Sequence, residues 1–547
     1  MTSTGLILYW GLGVAAHLVY FQRYEYWRHL YTSLTAFAAA TILSPFVLVK
    51  YAGTSLWPSA IRILIFHASF LLGATSSTLF YRIFLNPLNN FPGPYFARLT
   101  DFWLAWYVGS ALDQYRKLDG LHKRYGDFVR VGATTLSVAN PHAIDAMLGY
   151  DSPALKGAWY DIDYPNPSMH GTRDREAHAK LRQKWAPAFS DKALRAYNSR
   201  IKAFTKSFIG QIAELDGKPV DVTKSFSVYS FAVMAGLSFG KDEQMLQVEN
   251  LPQLIKIMSD GMKLLGLLPP MWFIRLLKLI PGDPSGMKKF HAFTDSHLED
   301  AVRSNFDGAS AEPGSIMSSW LYKMYQHLPD PASNGNFRSD IRLLIVGGSE
   351  TVAITLTFIF YLLAKHPEHI GILRSELRHK IKSETWNDTD IKNCEHLNGV
   401  INEALRLHPA GPSGVYRLTP PSGMRVGDRY IPGNVTIGMP IYVIHRHEAA
   451  YAQPDEFIPE RWYSRPELIR NPKALGTFSG GRFGCIGKNL AYMELRHVTA
   501  SILSQFDVEF APGEDGSKLL HESLDHFTMG LAPLHLCFVP AKDPELP

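Results

Sequence analysis

Three apolar stretches fall within the first 80 residues. Any part of them that meets lipid must be helical, because hydrocarbon offers no partner to an unpaired backbone N–H or C=O. Residues 5–21 are apolar apart from His17. They lack the basic start and small-residue cleavage site of a secretory signal, so the stretch is expected to be retained. Residues 33–49 and 60–80 each approach the roughly 20 residues that span a bilayer, with Pro45 and Arg62 as interruptions. Arg23, Arg28 and His29 lie between the first two stretches and Arg82 follows the third. The positive-inside bias then puts both basic regions in the cytosol and the N-terminus outside. Three spans satisfy that alternation; one span followed by two interfacial segments is the alternative.

The run Asn86-Pro87-Leu88-Asn89-Asn90-Phe91-Pro92-Gly93-Pro94 cannot continue a helix and reads as a stiff linker. It divides an anchor, residues 1–85, from a second domain, residues 86–547. From residue 95 onward apolar residues recur mainly at helical spacing. Residues 128–131 and 135–138 read as a hairpin across Gly132-Ala133, and residues 424–431 and 534–539 as further strands. The fold class is therefore mainly α with small β-sheets. Apolar residues make up 46% of the 547, enough for a large core. A net charge of +5 without a long basic run, and no nucleic-acid-binding signature, exclude nucleic acid as a partner.

Residues 341–363 are apolar on nearly all sides, as in a helix buried by protein or by lipid. Arg342 and Glu350 would be costly in hydrocarbon. Mid-helix Gly347 and Gly348 cost roughly 1 kcal/mol each relative to Ala, so a ligand or water is expected to approach the backbone there.

Three cysteines, Cys394, Cys485 and Cys537, are too few and too scattered for a disulfide framework or a zinc cluster. Cys485 differs from the others in its setting, Phe478-Ser479-Gly480-Gly481-Arg482-Phe483-Gly484-Cys485-Ile486-Gly487, directly before a helical pattern at 488–503. Glycines let a backbone wrap closely around a large flat ligand. A helix start offers free N–H groups that are expected to lower a thiol pKa. Cys394 and Cys537 read as small buried hydrophobes.

This loop resembles that of the cytochrome P450 family, Phe-x-x-Gly-x-Arg-x-Cys-x-Gly. Phe478, Gly481, Cys485 and Gly487 match, whereas the family's Arg two residues before the Cys is Phe483 here, with Arg482 beside it. The resemblance makes Cys485 the axial ligand of a haem b iron and Phe478 and Arg482 cofactor contacts. Three more motifs agree with it. Glu403-Ala404-Leu405-Arg406, with ends that share a helix face, and Pro459-Glu460-Arg461-Trp462 resemble the family's structural triad of Glu403, Arg406 and Arg461. Gly347-Gly348-Ser349-Glu350-Thr351 resembles its oxygen-activation pattern, which implies a hydroxyl from Thr351 for dioxygen and an acid from Glu350 for a proton route; a helix-interior Thr bonding back to a carbonyl is the plainer reading. His178-Ala179-Lys180-Leu181-Arg182 resembles the helix that meets a haem propionate through His178 and Arg182, and Arg417 is a second candidate by position. The resemblance covers about residues 86–539.

The resemblance implies a monooxygenase that inserts one atom of O2 into a hydrophobic small molecule, with electrons from NADPH through a reductase. The implied substrate is a secondary metabolite (terpenoid, alkaloid or polyketide), in a pocket drawing on Leu344, Pro412, Val415, Phe527 and Met529. The implied location is the endoplasmic reticulum membrane with the catalytic domain cytosolic. The basic stretch 173–184, with Arg173, Arg175, Lys180, Arg182 and Lys184, is expected to form part of the reductase's docking face. One rival is a reductase-independent enzyme of the same fold that rearranges a peroxide; another is a non-catalytic haem-binding membrane protein.

Overall fold

The computed structural model describes residues 3–282, 287–306, 317, 325, 327, 328, 330, 333–381 and 386–541. They divide into two compact units.

The first unit comprises Met1–Tyr107, Arg130–Thr135 and Pro269–Gly282. Its helices Ser3–Ala16, Leu30–Ala52 and Leu56–Phe80 follow the three apolar stretches. With short continuations they give spans Ser3–Phe21, Tyr26–Ala52 and Leu56–Asn90, long and apolar enough to cross a membrane, of which only 11%, 6% and 11% is buried within the protein. Their large side chains point outward, Ile7, Leu8, Ile42 and Leu64 among them. Packing between the first and third helices uses glycine. A Cβ on Gly13 would lie 2.0 Å from the Phe70 carbonyl oxygen, and one on Gly73 2.0 Å from that of Trp10. Backbones this close are the small-residue packing of membrane helices, where dispersion and hydrogen bonds replace hydrophobic attraction. Ser69 Oγ donates to the Leu6 carbonyl at 2.7 Å, and Tyr9 stacks on Phe66.

Residues 86–94 break the helix as expected, but they are packed in place. Asn86 accepts from the Leu88 N–H and donates its amide to the Ala133 carbonyl. The guanidinium of buried Arg130 donates to Asn89 Oδ1 at 2.6 Å and to the Gly132 and Ala133 carbonyls. The 3-10 turn Pro87–Asn90 thereby satisfies its polar groups inside its own unit.

The second unit comprises Val108–Val129, Leu136–Leu268 and Asp283–Pro547. At its centre runs helix Gly335–Lys365, whose most apolar window is 67% buried in protein, so it is a core helix and needs no lipid. It packs along Val222–Phe239, and the two mid-helix glycines divide the work. A Cβ on Gly348 would meet the Met234 side chain at 2.6 Å, which is helix packing and not ligand approach. Gly347 is exposed in a helix otherwise buried or half-buried from residue 335 to residue 364. Helices Glu395–Leu407 and Lys488–Leu503 complete the core around it.

The sheets are marginal, as expected. Strands Phe128–Arg130 and Thr135–Val138 are neighbours at the edge of a five-stranded sheet. In that sheet Leu155–Lys156, Tyr416–Leu418 and Thr436–Gly438 pair antiparallel, which sets Lys156 opposite Arg417. Met424–Val426 and Arg429–Ile431 form one hairpin and Leu524–His526 and Thr528–Gly530 another. Phe527 turns the second with φ +86°, a left-handed conformation unusual for a side chain of this size. His535–Pro540 pairs with Phe506–Phe510 and Val220–Asp221.

Candidate active site

The loop before helix Lys488–Leu503 is shaped by backbone contacts on both sides. Ser479 and Gly481 take φ of +55° and +53°, and a Cβ on Gly481 would lie 2.5 Å from the Leu148 carbonyl oxygen. The Cys485 N–H donates to the Phe478 carbonyl at 2.9 Å, closing the loop just ahead of the helix. Of the three cysteines only Cys485 has an exposed side chain; Cys394 and Cys537 are buried. Burial of the surroundings nevertheless pushes the Cys485 thiol up from its ordinary value. Open surface at a depth where solvation is lost describes a recess. The expectation that the helix start lowers this pKa is corrected: the N–H groups of Gly487 and Lys488 and the charges of Arg182 and Lys488 pull downward, but loss of water outweighs them.

On helix Gly335–Lys365 the Thr351 hydroxyl donates to the Gly347 carbonyl at 2.8 Å, the back-bond of a helix-interior threonine, while its side chain remains partly open. Glu350 Oε2 accepts from the Thr528 hydroxyl at 2.7 Å. Burial pushes the Glu350 carboxyl up to about 7, with the Thr528 bond opposing. The Thr528 strand is tied to the segment 410–415 by the Met529 N–H donating to the Ala410 carbonyl. Leu344 and Met529 belong to one buried core. Pro412 is buried and Val415 half-buried, both with hydrogen-bonded carbonyls. Phe527 stacks on Trp159 at 4.4 Å and meets His170 edge-on. Sequence reasoning missed this aromatic wall because Trp159 and His170 belong to no motif.

A cluster of basic groups surrounds Phe483. The His178 ring meets it edge-on at 4.7 Å, Lys156 Nζ stands 4.7 Å from its centroid and the Arg417 guanidinium 5.3 Å. Arg417 donates to the Tyr160 hydroxyl at 2.9 Å, and its Nε has no acceptor. Arg182 donates to the Gly484 carbonyl at 2.6 Å. Burial, then Arg417 and Arg182, pushes the Lys156 ammonium down to about 6; burial, then Lys156, Arg182 and Arg417, holds His178 at about 3. Arg482 stands apart: it donates to the Tyr150 carbonyl and lies over the Tyr150 ring on the surface. Phe478 packs against Tyr492.

The basic stretch 173–184 is less free than its composition suggests. Arg173 pairs with Asp161 at 2.6 Å, Arg175 donates to the Ser152 and Ala154 carbonyls, and Arg182 is tied to the loop, which leaves Lys180 and Lys184 exposed.

Glu403, Arg406 and Arg461 are fully buried together. Glu403 takes two bonds from Arg406, at 2.7 and 2.9 Å, one from Arg461 at 2.8 Å and one from Trp462 Nε1 at 2.9 Å. The remaining guanidinium donors reach backbone carbonyls, including His445, Pro454 and Glu456 for Arg406. His445 extends the network to the cysteine loop: Nδ1 contacts the Arg406 carbonyl at 2.9 Å and Nε2 accepts from the Gly476 N–H at 3.0 Å. Only a neutral ring satisfies both contacts, in agreement with the burial that holds His445 at about 3.

The Cytochrome P450 family profile matches residues 94–538, through every motif described above. The chain belongs to the cytochrome P450 family. It is 38% identical over 537 residues to cytochrome P450 monooxygenase lcsK of Purpureocillium lilacinum, covering 96% of each chain. It is 40% identical over 477 residues to cytochrome P450 monooxygenase sthD of Phaeosphaeria nodorum, covering 86% of this chain and 99% of that one. Tryprostatin B 6-hydroxylase of Aspergillus fumigatus is 34% identical over 542 residues, covering 97% and 94%. Retinoic acid-bound cyanobacterial CYP120A1 superposes with a TM-score of 0.66 at 20% identity, covering 82% of this chain and 99% of that chain, which establishes the shared fold. The chain is a haem-thiolate monooxygenase, which sets aside both the peroxide-rearranging and the non-catalytic readings.

The residues present fit the P450 haem on three counts. A cysteine side chain opens into a recess beside loop glycines. Gly347 leaves the backbone exposed on a central helix that is otherwise buried or half-buried from residue 335 to residue 364. The charges acting on Lys156 and His178 are all positive, and buried Arg417 beside them keeps an Nε without an acceptor, which suits a cofactor that brings its own carboxylates.

Proposed function

We propose that this P450 hydroxylates a hydrophobic secondary metabolite of terpenoid, alkaloid or polyketide type, and that Cys485 is the axial ligand of its haem b. The observation that carries the ligand assignment is the open Cys485 side chain at the end of a glycine loop, beside two buried cysteines that no such loop serves. When bound, the haem supplies reductive activation of dioxygen and insertion of one oxygen atom. The chain's own residues supply the rest. Glu350 holds a proton on its carboxyl near neutral pH and delivers it toward the partly open Thr351 hydroxyl, whose lone pairs can accept. Arg417, His178 and Arg182 face the cofactor's carboxylates, while Arg482 serves the surface. Leu344, Pro412, Val415, Phe527 and Met529, with Trp159, exclude water and shape the substrate pocket. The Glu403, Arg406 and Arg461 network holds the cysteine loop in place through His445.

Residues 1–85 anchor the chain in the endoplasmic reticulum membrane, and the domain from residue 86 works in the cytosol. NADPH-cytochrome P450 reductase delivers the electrons, drawn to a face that includes Lys180, Lys184 and Lys488. The hydroxylase among the relatives supports the reaction type, and the apolar pocket residues support the substrate class.

Deleting the gene in its source should make one precursor accumulate. The full-length enzyme with reductase, NADPH and O2 should convert that precursor to a product one oxygen atom heavier. No conversion, or conversion without NADPH, would contradict the proposal.

A further inference from the structure

Among the described residues, two histidines and a glutamate outside the candidate active site, His369, His396 and Glu460, bring metal-binding atoms within 4.8 Å of one another. Each comes from a different element. His369 stands in the first turn of helix Glu368–Leu377, His396 in the first turn of Glu395–Leu407, and Glu460 in the 3-10 turn Pro459–Trp462. The two rings are buried and stacked, with His369 Nδ1 3.1 Å from His396 Nε2 and 4.0 Å from Glu460 Oε1. Phe457 meets the His369 ring edge-on at 5.1 Å and fixes its plane. On its far side His396 Nδ1 stands 3.0 Å from the Tyr463 hydroxyl.

We propose that His369, His396 and Glu460 form a zinc site that staples the turn carrying Arg461 to the helix carrying Glu403 and Arg406. Two imidazole nitrogens and a carboxylate are a ligand set that zinc takes at about 2.0–2.2 Å, and two bonds of that length reach nitrogens 3.1 Å apart. A hydrogen bond between the rings would account for the nitrogens but not for a carboxylate beside the same atoms. With its Nδ1–H donating to Tyr463, His396 turns the Nε2 lone pair toward His369 and gains the outer partner that a metal-bound imidazole usually has. Burial lowers His369 and pushes His396 down to about 4, so both rings are in the neutral form that ligates a cation. An open cavity of about 520 Å³ lined by His396 and Tyr463 gives access. Glu376 and Glu395 also line it and give its mouth negative charge, and Glu376 accepts the His396 and Leu397 N–H groups, which holds the helix start in place. The zinc would brace the buried triad from outside, without touching the cofactor.

The test uses the full-length, haem-loaded enzyme, cleared of other metals with a chelator and titrated with zinc sulfate alone. Affinity is read by competition with a chromogenic zinc chelator, and bound zinc is counted against haem iron. Wild type should bind a single zinc per chain in a tight phase, with a rise in melting temperature on saturation. Zinc-edge X-ray absorption should show nitrogen and oxygen neighbours at about 2.0–2.2 Å. His396→Gln and Glu460→Gln should each lose the tight phase and the rise in melting temperature. Tyr463→Phe should weaken binding roughly ten- to a hundred-fold, the range typical of outer partners. The Glu460 side chain is 27% exposed, so Glu460→Gln should fold even if His396→Gln does not, and its carbon-monoxide spectrum checks this. No tight phase in wild type would overturn the inference. So would sulfur neighbours at the zinc edge, or a tight phase that survives in folded Glu460→Gln.

Discussion

Thr528 donates its hydroxyl to the Glu350 carboxylate at 2.7 Å, joining the turn beside Phe527 to the central helix. Burial pushes the Glu350 carboxyl up to about 7, and the Thr528 bond is the pull in the other direction. In the unfolded chain Glu350 ionises at the ordinary carboxylate value, so between about 4.5 and 7 the folded state binds more protons. Stability therefore falls as pH rises through that window. Glu350→Gln should remove this component, so that melting temperature declines less from pH 5 to pH 7 than in wild type. Thr528→Val should move the Glu350 ionisation higher, read as an upward shift of the basic limb of the turnover profile. An unchanged profile in both variants would remove Glu350 from the proton route.

Thr351→Ala should leave haem content and melting temperature close to wild type, because the bond it loses is a local back-bond to Gly347. Product formed per NADPH oxidised should fall several-fold, with hydrogen peroxide making up the difference. Full coupling in this variant would leave Thr351 with the back-bond as its whole role.

The buried triad makes a sharper stability prediction. Arg461→Met leaves Glu403 with Arg406 but strips the carboxylate of one of its two guanidiniums in a fully buried site. Breaking such a pair costs about 3–5 kcal/mol. Denaturant unfolding of the holoenzyme should show a loss of that order, together with faster haem release, since His445 links the same network to the cysteine loop. A loss below about 1 kcal/mol would place the pair in the weak class of exposed ion pairs.

In the anchor, Gly73→Leu should separate the first helix from the third, because no side chain fits 2.0 Å from the Trp10 carbonyl oxygen. Cysteines placed at Tyr9 and Phe66, which stack at 4.6 Å, report the contact. Oxidative cross-linking in membranes should succeed in the wild-type background and fail with Gly73→Leu, while the carbon-monoxide spectrum stays. Cross-linking that survives would contradict the packing.

What the sequence made legible is what is local along the chain. The loop 478–487, the Glu403 and Arg406 pair and the Glu350-Thr351 pattern each carry their spacing within one turn or loop, so their geometry follows from their order. The place of Lys156 beside the loop was invisible because it comes from the register with Arg417 and from contact with the Phe483 ring, both distant in sequence. His445 was invisible for the same reason. Composition misled on the stretch 173–184, where three arginines turn to partners in the fold. Rules about helix starts misled on the Cys485 thiol, because they give the pull of N–H groups and not the loss of water that opposes it.

The carbon-monoxide difference spectrum of the reduced protein decides whether Cys485 ligates the haem iron. Wild type should give the red-shifted thiolate band. Cys485→Ala should lose it, while Cys394→Ala and Cys537→Ala, which alter buried residues away from the loop, should keep it. A thiolate band that persists in Cys485→Ala, or disappears in either of the other two with the fold intact, would rule out Cys485 as the axial ligand.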